Sequence, residues 1–300
     1  MKIRSTMIDD TFAEAFRMHG TRVVITGATR KWALAAAQAM TGFATSVIGC
    51  KCEAGIEREL APEETPDRRP GASALIFAMD KAALGKRQVE RIGQCVMTCP
   101  STACFAGLES ETSVRVGGQL RYFGDGFQIA KRLGDRRYWR IPVMDGEFLV
   151  DDRFGIQEAV GGGNLILLGR DARTTLLAAR AAVKAMRANT DVILPFPDGV
   201  VRSGSKVGSR YKSLMASTND AFCPTLRAVS ARSEIDPGVN SVLEIVVDGL
   251  SESAVRRCML DGINAAARPG IRRISAGNYG GNLGQYRIDL HALLAEAGTK

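Results

Sequence analysis

Three hundred residues, 45% hydrophobic and 24% charged, exclude a single small module and a disordered or collagen-like chain, and leave two lobes or one large α/β unit. The 40 basic against 32 acidic residues give a net charge of +8, a field that favours polyanionic ligands. That excess is diffuse, with modest clusters at 131–140 (KRLGDRRYWR) and 202–212 (RSGSKVGSRYK) and no signature of the common single-strand RNA readers, so no nucleic-acid partner is expected.

No apolar run approaches the ~18 residues of a membrane span, and Asp9 and Asp10 stand where a signal peptide would need its apolar core. The expectation is a cytoplasmic protein with no membrane association. In chain order, 22–26 (RVVIT) reads as a buried strand, 31–40 as an Ala-rich helix stopping at Gly42, and 44–49 as a strand. After a Pro-rich loop, 73–79 is a strand, 81–94 an amphipathic helix and 119–123 (QLRYF) a strand. Residues 139–151 alternate and turn at Asp145-Gly146, a hairpin between two halves. The second half runs strand 164–169, helix 172–187, strand 191–196, a long loop, strand 241–247, helix 252–267, then strand 271–275 turning into 283–290.

Each half therefore reads β-α-β-β-α-β, and Gly117-Gly118-Gln119-Leu120 echoes Gly280-Gly281-Asn282-Leu283. The expected fold class is α+β: two duplicated ferredoxin-like lobes, 1–146 and 147–300, tightly docked. The open face of each sheet must be buried by the other lobe or by another subunit, so an oligomer is expected.

Seven cysteines at 50, 52, 95, 99, 104, 223 and 258 include no pair of C-x-x-C knuckles, so no metal site is expected. With only His19 and His291 in the chain, no serine or cysteine has an evident base for a triad. Neither Gly161-Gly162-Gly163 nor Gly27-Ala28-Thr29 has the spacing of a phosphate loop. Six long loops rich in Gly, Ser, Thr, Asn and Asp exceed what connection requires, and they carry donors and acceptors for a polar ligand.

The sharpest anomaly lies in 241–247 (SVLEIVV). Leu243, Ile245 and Val247 make one apolar face, and the other reads Val242, Glu244, Val246, a carboxylate between two valines in mid-strand. Burial there disfavours the ionised form, so Glu244 would stay protonated near neutrality and donate a hydrogen bond to a developing oxyanion. The competing reading is a glutamate on a wet sheet face or in an internal ion pair.

At these residues the sequence resembles a known family. The blocks DDTFAEAF (9–16), KWA (31–33), TGFATSVI (41–48), PEETPD (62–67), RIGQCVMT (91–98), FGDGFQ (123–128), SKVGS (205–209), ASTNDAFCPT (216–225), EIVVDGL (244–250) and SAGNYGGNLGQY (275–286) are similar, in order, to the formylmethanofuran:tetrahydromethanopterin formyltransferases. The resemblance implies transfer of a formyl group between the amine of a methanofuran-type carrier and N5 of tetrahydromethanopterin, both co-substrates, with no tightly bound cofactor. It also implies a homotetramer, and it places the family's catalytic glutamate on Glu244.

Methanogen members of the family are strongly acidic, whereas this chain is basic. It therefore looks like the methylotroph version, the formyltransferase subunit of a formyltransferase/hydrolase complex in formaldehyde oxidation, with hydrolase and accessory subunits as partners. Catalysis then reduces to aligning two large co-substrates, stabilising a tetrahedral oxyanion and moving a proton, with direct transfer rather than an acyl-enzyme. Gln94, Thr98, Ser101, Asp125, Asn219, Asp220, Asn278 and Gln285 are candidates for orienting substrates. Phe123, Phe127 and Phe222 are candidates for stacking on pterin or furan, with core packing the competing reading. Arg202 and Lys206 are candidates for the carboxylates of the carrier's polyglutamyl tail, with a solvated basic surface the alternative. The rival functions are a non-catalytic assembly subunit and a nucleic-acid-binding protein.

Overall fold

Four strand-to-helix turns set the architecture, and each places a polar cap on the first turn of a helix. Thr29 Oγ1 accepts from the Trp32 amide at 3.4 Å, Asp80 from Ala83 at 2.8 Å, Asp171 from Thr174 at 2.8 Å and Ser251 from Ala254 at 3.2 Å. Each cap satisfies an orphan helix N–H, typically stabilising by ~1 kcal/mol, and fixes where the chain leaves its strand. The computed structural model describes residues 1–298; the last two residues of the expected second lobe lie outside the described residues.

The first lobe comprises β1 Phe12–Thr26, α1 Arg30–Thr41, β2 Glu53–Leu60, β3 Gly71–Ala78, α2 Lys81–Arg91 and β4 Ala103–Ala106. Its sheet runs β4-β1-β3-β2 with every neighbour antiparallel. The hairpin β5 Arg136–Val143 and β6 Gly146–Asp151 extends the edge at β4. The second lobe comprises β7 Gln157–Gly169, α3 Ala172–Met186, β8 Val192–Ile193, β9 Ser241–Gly249, α4 Glu252–Ala266 and β10 Ile271–Ser275, in the order β10-β7-β9-β8. Both orders are those of a ferredoxin-like lobe, so the duplicated α+β reading holds. The two sheets join because the first strands of the lobes pair with each other, Gln157 opposite Gly20 through Gly161 opposite Phe16. The strand β11 Tyr286–Asp289 closes on the start of β1.

Alternation decides which face each lobe fills. Val23 and Ile25 of β1 meet Ala36, Ala37 and Met40 of α1, and the small side chains let the helix lie close on the sheet. In the second lobe Leu165, Leu167, Ile245 and Val247 pack under α3 and α4. The helix-free face of the first sheet buries Leu75, Phe77 and Met18 against Ile193 and Leu250 of the second lobe. An ion triad reinforces this docking: Arg22 reaches Glu57 at 2.7 Å and Asp191 of the other lobe at 2.5 Å. The helix-free face of the second sheet is covered by the chain itself. Ile235, Val239 and Phe222 of the long loop pack on Ile166, Leu168 and Val242, so this face needs no second subunit to cover it, contrary to expectation.

Several elements differ from the sequence reading. Residues 119–123 form no strand: Gly117–Leu120 and Arg121–Gly124 are helical turns, because Gly117 packs where a Cβ would lie 2.2 Å from the Asp151 carbonyl oxygen. The fourth strand of that lobe is instead Ala103–Ala106, four residues too short to show a period. Residues 44–49 hold the short helix Val47–Cys50, and the strand begins at Glu53. The strand expected over 191–196 is cut to Val192–Ile193, since Pro195 and Pro197 cannot donate to a ladder. That expected over 283–290 is Tyr286–Asp289, with left-handed Gly280 and Gly281 ahead of it. The four-residue echo is thus helical in one lobe and a loop in the other.

Candidate active site

Glu244 sits in the middle of β9 with its side chain on the face away from the helices. Its lateral neighbour is Ile166 of β7, whose other neighbour is Ser275 at the end of β10, so the three side chains share one face. On the outer side Val201 forms a single bridge: its amide donates to the Glu244 carbonyl at 2.7 Å, and the Glu244 amide donates back at 2.9 Å. The loop then turns over the carboxyl at Gly204, where a Cβ would lie 3.2 Å from Glu244 Oε2.

These segments enclose a cavity of about 50 Å³ lined by Glu244, Ile166, Val201, Arg202, Gly204, Asn219, Phe222, Cys223 and their neighbours. That volume admits a water or a one-carbon group but no ring system, so the bulk of a large substrate must lie outside it. Glu244 as a residue is half-buried, opening into this cavity. Burial of the carboxyl pushes its pKa up to about 7. Among the described residues no cation pairs with it, so the internal ion pair weighed against a functional role is absent.

Of the other candidates, Arg202, Asn219 and Phe222 line the same cavity. Lys206, in the short strand Ser205–Val207, and Asp220, in the turn just after its partner strand Ala216–Thr218, pair with each other at 2.6 Å, and Asp220 also takes Ser230 at 2.7 Å and Arg232 at 2.5 Å. The Lys206 hydrogen bond leads the causes that hold the Asp220 carboxyl far below the usual range, and the pair braces the loop. Asn278 donates to Thr11 Oγ1 and the Phe12 carbonyl, both at 3.2 Å, and Gln285 accepts the Arg17 amide at 2.8 Å. Both shape the loop after β10, on the opposite flank of Glu244.

The first-lobe candidates line no part of this cavity. Gln94 is exposed on a π-turn over Ile92–Val96 and its carbonyl accepts from Thr98 Oγ1 at 2.7 Å. Ser101, at a left-handed φ of 64°, accepts the Ala28 amide at 3.1 Å and donates its own amide to Asp145 at 2.8 Å. Phe123 and Phe127 are 67% and 78% exposed around a turn whose left-handed residue is Asp125, which makes core packing the wrong reading for both rings.

Sequence reasoning missed two groups here. Asn164, a diagonal neighbour of Glu244 on the same face, donates to the Gly277 carbonyl at 3.1 Å and accepts its amide at 2.6 Å. Glu14, buried in β1, accepts from the amides of Tyr279, Gly281, Leu283 and Gly284 at 2.6, 2.9, 2.5 and 2.6 Å. Burial alone would raise its pKa, but four amide donors outweigh it and keep the carboxylate ionised. The only available signal was a carboxylate between Phe12 and Phe16 on one face of its strand, the same anomaly as at Glu244.

A protonated carboxyl opening into a one-carbon-sized cavity can donate to an oxyanion, which is acyl-transfer chemistry. Comparison with known proteins agrees with it. The family model for formylmethanofuran-tetrahydromethanopterin formyltransferase matches residues 1–143, and the model for the proximal lobe of the same family matches residues 146–293. The chain belongs to this family. A formylmethanofuran–tetrahydromethanopterin formyltransferase of Methylococcus capsulatus is 58% identical over 299 residues, 98% of this chain and all of the relative. Among solved structures, that of the formyltransferase/hydrolase complex from Methylorubrum extorquens with methylofuran aligns at a TM-score of 0.95, with 53% identity over 98% of both chains. The formyltransferase of this family from Methanosarcina barkeri aligns at 0.93, with 46% identity, over 98% of this chain and 100% of that one.

Proposed function

We propose that this member of the formyltransferase family transfers a formyl group between the amine of a methanofuran-type carrier and N5 of tetrahydromethanopterin, with Glu244 as its catalytic acid. The observation that carries the assignment of Glu244 is an unpaired, neutral-tending carboxyl facing a cavity of about 50 Å³. In either direction the acceptor nitrogen attacks the formyl carbon, forming a C–N bond as the C=O π pair moves to oxygen. Glu244 hydrogen-bonds to that oxyanion and passes it a proton, which it takes back on collapse. Collapse restores the carbonyl and breaks the bond to the donor nitrogen, which regains a proton as it leaves, while the acceptor nitrogen gives one up. No step calls on a resident cofactor.

The family membership, the methylotroph relatives and the basic charge support a role in formaldehyde oxidation beside hydrolase and accessory subunits. They also support a polyglutamylated carrier, with Arg202 at the cavity mouth, which has no ion-pair partner among the described residues, a better candidate for its tail than the paired Lys206. Two exposed apolar groups, one around Phe123 and Phe127 and one around Tyr211 and Met215, fit subunit contacts of a homotetramer. No helix among the described residues is long and apolar enough to cross a membrane, and cytoplasmic residence fits the relatives' substrates. Incubating the purified protein with formyl-tetrahydromethanopterin and the furan carrier tests the reading. Transfer of the formyl group supports it, and a well-folded protein that only assembles with partners leaves the assembly role.

A further inference from the structure

The loop 276–285 leaves the sheet level with Glu244: Ser275 stands two strands away on the same face, and Asn164 ties Gly277 down beside it. Beyond Gly277 four amides of the loop converge on one side chain of the other lobe, Glu14, at 2.5 to 2.9 Å. The fit is close on both sides. Gly284 carries no side chain where a Cβ would lie 2.6 Å from Glu14 Cγ, and Gly280 and Gly281 take left-handed φ of 73° and 76°. The residue this arrangement fixes is Tyr279, whose ring packs on Phe16 with centroids 6.0 Å apart and remains 36% exposed. Burial is the first cause that raises the Tyr279 phenol, the charge of Glu244 is the second and that of Glu14 the third. The phenol thus lies within the field of the proposed acid.

We infer that Glu14 is a positioning residue for formyl transfer: by gathering the amides of residues 279–284 it holds the Tyr279 phenol on the flank of Glu244, where the phenol serves as a second hydrogen-bond donor to the reacting group. The inference rests on the proposed role of Glu244. A carboxylate suits this task because it accepts four N–H groups at once, which a neutral amide side chain cannot do without turning an N–H toward another N–H.

The test uses Glu14→Gln, Glu14→Asp, Tyr279→Phe and the Glu14→Gln/Tyr279→Phe double variant in the full chain, with folding checked by circular dichroism. Glu14→Gln and Tyr279→Phe are each expected to lower kcat roughly 10-fold with KM nearly unchanged, since a small misplacement at the reacting centre costs rate more than binding. The double variant should be no slower than the worse single variant, and Glu14→Asp should recover part of the loss. Tyr279→Phe, which removes one oxygen from a partly exposed ring, keeps the question open to measurement if the Glu14 variants fold poorly. A second readout needs no activity: subtracting the alkaline absorbance titration of Tyr279→Phe from that of the parent isolates the Tyr279 phenol. The same subtraction in the Glu14→Asp background, which keeps the Glu14 charge that also raises the phenol, should show it ionising at lower pH, as the loosened loop lets it into solvent. Parent-like kcat in folded Glu14→Gln or in Tyr279→Phe, or an unmoved phenol titration, would overturn the inference. A parent-like Glu244→Gln would instead sink the proposed acid, with the phenol titration still reporting on Glu14.

Discussion

Gly204 lies under the Glu244 carboxyl so closely that a Cβ on it would be 3.2 Å from Oε2, and φ at Gly204 is outside the left-handed region. Alanine there therefore costs no backbone strain, and what it disturbs is the acid. To make room, the carboxyl must give way by a few tenths of an ångström inside a cavity of about 50 Å³. Gly204→Ala is expected to lower kcat roughly 10-fold, with KM and thermal stability close to the parent. Steady-state kinetics beside a melting curve check it, and an unchanged kcat would mean that the reacting carbon does not approach Glu244 from this side.

Replacing Glu244 itself separates proton transfer from binding. Its pKa is pushed up to about 7 by burial, so the neutral, donating form dominates below that pH and is lost above it. The parent should lose kcat with an alkaline limb near pH 7, about tenfold per pH unit beyond it. Glu244→Gln keeps a neutral donor of the same shape but cannot exchange a proton. A fall in kcat of roughly 10²-fold, KM within about threefold and disappearance of that limb are expected. A pH–rate profile of both proteins decides.

The contrast between Glu244 and Glu14 shows what a sequence makes legible. Glu244 stands out because its environment is local: Val242 and Val246 flank it on one face of one strand. The helices expected over 31–40, 81–94, 172–187 and 252–267 were equally local, each carried by its own period. Glu14 has an anomaly of the same kind, but its four partners lie 265 to 270 residues away, and nothing near it announces them. The same reason hid the first half of β1, whose partners are the second lobe and β11, while the strand Ala103–Ala106 is too short to show a period. The first-lobe candidates came from loop composition alone, and composition cannot say which loops meet.

Cys223 lines the Glu244 cavity, its thiol donating to the Asn219 carbonyl at 3.3 Å. Cys104 is fully buried, and burial raises its thiol far above the ordinary value; Cys99 is raised by burial and by the charge of Asp145. None is set up as a thiolate nucleophile. Cys99→Ala, Cys104→Ala and Cys223→Ala should each keep kcat within about threefold of the parent, as direct transfer requires. Treating the parent with N-ethylmaleimide should block activity by filling the cavity mouth, and Cys223→Ala should resist the reagent. Loss of turnover in any folded alanine variant would favour a covalent acyl-enzyme.

Glu53 of β2 and Asp248 of β9 meet where the lobes dock. Asp248 is wholly buried and accepts the Gly162 amide at 2.9 Å, and Glu53 accepts the Val47 amide at 3.1 Å. Burial raises both pKa values, and the charge of Glu53 raises that of Asp248 further, so the docked lobes favour a proton shared between the two carboxyls. Both groups titrate higher in the folded chain than in the unfolded one. Their contribution to stability is therefore complete below about pH 4, the unfolded range, and is lost as pH rises through the folded values. Asp248→Asn keeps an acceptor for Gly162, gives Glu53 a permanent donor and removes one titrating group. The variant should melt with the parent near pH 4 and about 3 °C or more above it at pH 9. Thermal denaturation across that range checks it, and parallel curves for the two proteins would show that no proton is shared between the lobes.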